Sequence, residues 1–323
     1  MEISRRHFLS LLAGSSLAAI AGPALKALAL PANAVKVIWL QGSGCTGCSV
    51  SFLNRISSEA PTSAADVLLN LVEVDYHPNI MAAAGELAVS AAEAVYAEGG
   101  YVLVVEGGVP TAFDGAACWG WSMGGKDYTF YEIVNKYASK AAAIVCIGTC
   151  ASWGGMSAAA PNPTAVQGVG QATGRATINI AGCPPHPDWI IWGVAQLLAG
   201  VDVPLDSFGR PTALYQYTVH DCCPRNGTEQ ATVYGVDDHC LRALGCHGPD
   251  TIAPCPAYRW NNAVNWCVDS NAPCIGCSEA TFPERGLVAA TVAPPAPPGS
   301  GDGDNDDNSG GDGHRGDHRH GDN

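Results

Sequence analysis

The chain has 323 residues, of which 14% are charged and 47% hydrophobic, with 38 glycines and 14 cysteines. That length and composition suit one large or two moderate packed domains and exclude a disordered chain. A formal charge of -14 at pH 7 argues against nucleic acid and against an anionic membrane surface as partners, and favours a cationic protein.

Residues 1–34 carry S-R-R-H-F-L-S at Ser4 to Ser10, then a weakly apolar run to Leu30. Paired Arg5 and Arg6 ahead of such a run read as a twin-arginine export signal. Pro23 and Lys26 interrupt the run and Ala and Ser dilute it, which disfavours a membrane anchor. The expected location is the periplasm, soluble or held at the membrane through a partner. Removal of 1–34 takes Arg5, Arg6, Lys26 and Glu2 away and leaves a charge of about -16.

Short apolar runs at 35–42, 67–75, 101–106, 142–148 and 176–182 predict buried parallel strands. Helical stretches are expected at 48–59, 80–98, 130–140 and 187–198. Strands alternating with helices imply an α/β fold with a doubly wound parallel sheet over 35–207. From 208 to 290 the alternation fades, and cysteines, prolines and aromatics crowd a smaller irregular domain that metal centres would nucleate. Residues 291–323 read as a proline hinge and a disordered Asp/Gly/His tail; 301–323 hold seven Asp against two Arg.

Eleven of the fourteen cysteines and one histidine sort into three sets of four. The first is Cys45, Cys48, Cys150 and Cys183; the second is His220, Cys223, Cys240 and Cys246; the third is Cys255, Cys267, Cys274 and Cys277. Cys45 and Cys48 follow the first predicted strand, Cys150 the fourth and Cys183 the fifth, so all four converge at the carboxyl edge where open α/β sheets bind ligands. Thiolates hold iron–sulfur clusters, and a histidine can replace one of them. Three such centres in one small protein make a wire rather than a catalyst. The alternatives are a dithiol pair at Cys45 and Cys48, structural zinc on the last eight donors, and a disulfide framework. The first leaves Cys150 and Cys183 idle, the second leaves the first set unexplained, and export of a folded protein favours metal centres over the third.

Cys146, inside an apolar strand, is expected in the core. Cys118 has no evident partner, and the spacing leaves Cys222 and Cys223 open as the ligand. His186 is expected to be a structural hydrogen-bonding residue, and Glu106 a buried carboxylate with either a structural role or one in proton handling or partner contact.

The motifs V-I-W-L-Q-G-S-G-C-T-G-C-S-V-S, V-E-G-G-V-P-T, G-T-C-A-S-W-G-G and G-C-P-P-H-P-D-W resemble the small subunit of nickel–iron hydrogenases. H-D-C-C-P, C-L-R-A-L-G-C-H-G-P and R-W-N-N-A-V-N-W-C-V continue the resemblance, which covers roughly 35–283 in order. It implies a flavodoxin-like N-terminal domain, a proximal cluster on the first set, a distal one on the second and a medial one on the third. The H-x-x-C-P pattern selects Cys223. Many members have proline where Cys267 stands and bind a [3Fe-4S] medial cluster; the fourth cysteine here implies three [4Fe-4S] clusters, as in the selenium-containing subgroup. Gly47 and Gly155 stand where oxygen-tolerant members carry extra proximal cysteines, implying a standard proximal centre. The paired C-x-x-C motifs of the nickel site are absent, so the resemblance implies a large-subunit partner that performs the hydrogen chemistry. Electrons would leave to a multihaem cytochrome c or a membrane quinone-reducing subunit.

Overall fold

A computed structural model describes residues 35–198, 202–235 and 238–283, all within one compact unit. The export signal and the acidic tail lie outside the described residues. Five parallel strands form the central sheet: β1 (Val35–Gln41), β2 (Val72–Tyr76), β3 (Val102–Glu106), β4 (Ala143–Ile147) and β5 (Ile178–Ile180). Their order is β2-β1-β3-β4-β5, the flavodoxin-like winding, which reverses direction between β1 and β3. Gln41 pairs with Glu106, and Glu106 with Ile147, so these three strand ends lie level at one edge.

Helices α1 (Gly47–Leu53), α2 (Ala64–Asn70), α3 (Glu86–Glu98), α4 (Phe130–Ala138), α5 (Thr149–Trp153), α6 (Val169–Thr173) and α7 (Pro187–Leu198) accompany the sheet. On one face, Ile38, Leu40, Leu103, Val105, Ile144 and Cys146 pack against Ala88, Ala92 and Val95 of α3 and Phe130, Ile133, Val134 and Tyr137 of α4. Full burial of each larger aliphatic or aromatic side chain contributes roughly 1.5–3 kcal/mol. Cys146 is a core residue, its thiol pushed up to about 12 by burial.

Three expectations shift in detail. The run 67–75 divides into the end of α2 and strand β2, because Ser63 and Asp66 form a reciprocal capping box that starts a helix ahead of the strand. The helix expected over 48–59 stops at Leu53, and that over 80–98 begins at Glu86, after Gly85 in the left-handed region. A hairpin of Trp119–Met123 and Lys126–Thr129, turning at Gly124–Gly125, was not expected. Beyond residue 202 the described chain holds short 3-10 turns and one brief helix, α8 (Cys255–Tyr258). It is tied to the sheet domain by Tyr215 Oη donating to Ala181 O (2.7 Å) and by Asn179 Nδ2 donating to Phe208 O (2.8 Å).

Candidate metal centres

The first set of thiols is assembled by loops at the carboxyl edge. Cys45 and Cys48 follow β1, with Cys48 in the first turn of α1; Cys150 lies in the first turn of α5 after β4; Cys183 follows β5. The Cys48 thiol is pushed well above its usual range by burial, then by the charges of Glu106, Cys150, Cys183 and Cys45 around it. Cys183 is pushed up to about 11 by burial and by Cys150 and Cys45. Gly148, with φ +92, admits the Cys48 sulfur, since a Cβ there would stand 2.5 Å from it. Gly155 does the same for Cys150: φ is +49 and a Cβ would lie 3.1 Å from the Cys150 sulfur.

The second set lines one pocket. His220, Cys223, Cys240 and Cys246 face it together with Arg225, Gly248 and Val268, around about 250 Å3 of empty space that is partly open to solvent. Cys222 does not line it and is exposed. Arg225, which the sequence did not single out, is buried and donates to His239 O (3.2 Å), Asn271 Oδ1 (2.6 Å) and Asp238 Oδ1 (3.2 Å). It places a cation beside Cys223.

The third set converges from α8 and the turns after it. The Cys255 thiol is raised well above its usual range by burial and then by Cys277, Cys274 and Cys267. Burial pushes Cys277 up to about 12 and Cys274 to about 11, and raises Cys267 as well.

Contacts join the sets in series. Thr149, beside Cys150, donates to the Cys277 carbonyl, linking first to third, and the Cys274 N–H donates to the Cys246 sulfur at 3.2 Å, linking third to second.

The residues present fit thiolate-held clusters. All fourteen cysteines are free, which leaves no disulfide framework. Among the described residues no three His, Cys, Asp or Glu side chains converge tightly enough for one ion. Thiols brought together from several segments, as in the first and third sets, are the donors that iron–sulfur centres use. Raised thiols also need a cationic centre to release their protons.

His186 is no ligand. Its Nδ1 accepts from Asp188 N (3.1 Å), so Nε2 carries the proton and donates to Arg259 O (2.6 Å). Glu106 is buried at the end of β3; its Oε2 accepts from Ser49 N (2.7 Å) and Ser49 Oγ (2.9 Å), and burial raises its carboxyl. Ser49 and His77, 3.2 Å apart through Oγ and Nε2, extend that network.

Residues 45–197 match a family model described as the NADH ubiquinone oxidoreductase 20 Kd subunit, and 215–288 match one for the C-terminal region of the NiFe/NiFeSe hydrogenase small subunit. The second match separates hydrogenases from relatives with the first domain alone. Over 312 residues the chain is 36% identical to the periplasmic [NiFeSe] hydrogenase small subunit of Desulfomicrobium baculatum, covering 88% of this chain and 97% of that one. The chain belongs to the nickel–iron hydrogenase small-subunit family. It is also 39% identical over 293 residues to the periplasmic [NiFe] hydrogenase small subunit of Solidesulfovibrio fructosivorans, covering 87% and 90% of the two chains. The recombinant [NiFeSe] hydrogenase of Desulfovibrio vulgaris Hildenborough superposes with a TM-score of 0.73 at 37% identity, over 80% of this chain and 97% of that one. As a hydrogenase small subunit of an iron–sulfur family, the chain serves an oxidoreductase whose active site lies on the large subunit.

Proposed function

We propose that this protein carries electrons between the nickel–iron site of its large subunit and an external acceptor through three [4Fe-4S] clusters. The proximal cluster is assigned to Cys45, Cys48, Cys150 and Cys183, the medial to Cys255, Cys267, Cys274 and Cys277, and the distal to His220, Cys223, Cys240 and Cys246. When bound, each cluster supplies one-electron chemistry. The protein supplies ligands, excludes water and sets the separations. The observation that supports this reading is the pair of bridging contacts, Thr149 to the Cys277 carbonyl and Cys274 N–H to the Cys246 sulfur, which link the three candidate ligand groups in series.

Exposed Val50, Leu53 and Ile56, at 60%, 45% and 67% of full exposure, lie on and just after α1, beside the proximal ligands. An uncovered aliphatic strip there suits the large-subunit interface. At the other end of the line the chain's acidity suits a cationic acceptor, a multihaem cytochrome c or a membrane quinone-reducing subunit. The division at 207/208 and twin-arginine export to the periplasm belong to the same proposal. Among the described residues no helix is long and apolar enough to cross a membrane.

EPR and iron quantification on the anaerobically purified heterodimer test it. About twelve cluster irons with no three-iron signal after oxidation is the expected result. A strong native three-iron signal would remove Cys267 from the ligand set, and near-zero iron would remove the wire.

A further inference from the structure

Thr149 lies between Gly148 and Cys150 at the start of α5 and is 1% exposed. Its N–H donates to Gly182 O (3.0 Å), and its hydroxyl accepts from Gly182 N at the same distance. Both polar groups of the residue before Cys183 are therefore held by one side chain and its own backbone. The hydroxyl proton goes elsewhere, to the carbonyl oxygen of Cys277, across 128 residues of sequence. Three ligand-bearing segments, at Cys150, Cys183 and Cys277, meet on this single oxygen.

Resting on the ligand assignments above, we propose that Thr149 is a positioning residue that pins the medial ligand Cys277 to the loops bearing the proximal ligands Cys150 and Cys183. The far end of the same segment is held independently: the buried Arg210 donates to Ser278 O (3.2 Å) and to Glu279 Oε1 (3.0 Å), and is itself braced by Asp206 Oδ2 (2.8 Å). Of these two clamps only Thr149 hydrogen-bonds proximal-site segments; Arg210 meets α5 through the Trp153 ring alone, 6.0 Å from its guanidinium. Valine at 149 keeps the β-branched shape but removes the hydroxyl, leaving Gly182 N–H and the Cys277 carbonyl buried without it. Serine keeps the hydroxyl and loses only a methyl group. Electron exchange between two centres falls exponentially with their separation, so a residue that fixes where Cys277 sits governs the coupling of medial to proximal centre without touching either.

The test compares Thr149→Val and Thr149→Ser in the anaerobically purified heterodimer by iron count and EPR of each centre. For Thr149→Val the expected result is a three-iron signal in the oxidised state and an altered medial signal in the reduced state, with the distal signal unchanged and Thr149→Ser matching the parent. A general loss of stability would disturb all three centres alike, and that outcome overturns the proposal, as does a Thr149→Val medial spectrum identical to the parent's. Should the valine variant fail to assemble, Thr149→Ala removes the same hydroxyl and is read by the same criteria. Absence of iron from the parent heterodimer would instead refute the cluster reading on which the proposal rests.

Discussion

Replacing Gly148 by alanine tests how the backbone makes room for the proximal centre. Gly148 adopts φ 92 and ψ 156, a region that residues with a side chain hardly populate, and the strain of forcing one there is about 1–3 kcal/mol. The new Cβ would also stand 2.5 Å from the Cys48 sulfur and 3.5 Å from Gly182 O. Relieving that overlap costs about another 1–3 kcal/mol if the sulfur or the loop moves. The expected total, about 2–6 kcal/mol, is a large fraction of the stability of an ordinary domain. Since the overlap falls on the sulfur of a proposed ligand, part of it should appear as lost iron. The assay is urea unfolding of the heterodimer together with iron per protein, expecting a lowered midpoint and loss of about four irons. A Gly148→Ala protein with parental iron and midpoint would refute the argument that Cys48 is seated by this glycine.

Cys267→Pro should leave a folded, loaded protein whose oxidised medial centre shows a three-iron EPR signal, with about one iron fewer; an unchanged spectrum would remove Cys267 from the ligand set. Leu53→Asp should change stability by no more than about 0.5 kcal/mol, since the residue is exposed. The same change should weaken binding of the large subunit by at least roughly tenfold, a loss of about 1.4 kcal/mol, measured by titrating one purified subunit against the other.

The fold was legible because its signals are local. Runs such as 101–106 and 142–148 are nearly continuously apolar, with only Glu106 charged, and both are strands in the sheet interior. The run 67–75 misled because a short, mostly apolar stretch does not distinguish helix from strand; the Ser63–Asp66 capping box decided the matter just outside it. The candidate ligands were visible as spacing, since cysteine is rare enough for four to stand out. Thr149, Arg210 and Arg225 were not, because each acts on a backbone carbonyl or side chain that only folding brings near. The Arg210–Glu279 bond spans 69 residues and the Arg225–Asn271 bond 46. Arg210 left one faint trace, a lone cation in F-G-R-P amid few charges, but nothing there says which carbonyls it will hold.

The irregularity of the second segment follows from what it has to surround. A single helix carrying Cys255, Cys267, Cys274 and Cys277 would spread them over about 33 Å of its axis, and a strand further still, so no regular element could aim all four at one point. The chain must instead reverse repeatedly between them. Asn261, Asn262 and Asn271 adopt φ of 55, 59 and 55, which asparagine tolerates better than most residues, and Trp260 pairs back onto Asn265 across the first reversal. Ala263, at φ 63, and Arg259, at φ 52, have no such tolerance and are strained. Strain of that kind persists only where surrounding contacts over-determine the backbone. Here those contacts are the buried Trp266, the Trp260–Asn265 bridge and, when bound, the centre itself. The turns that make this segment look unstructured in sequence are therefore what brings its four thiols together.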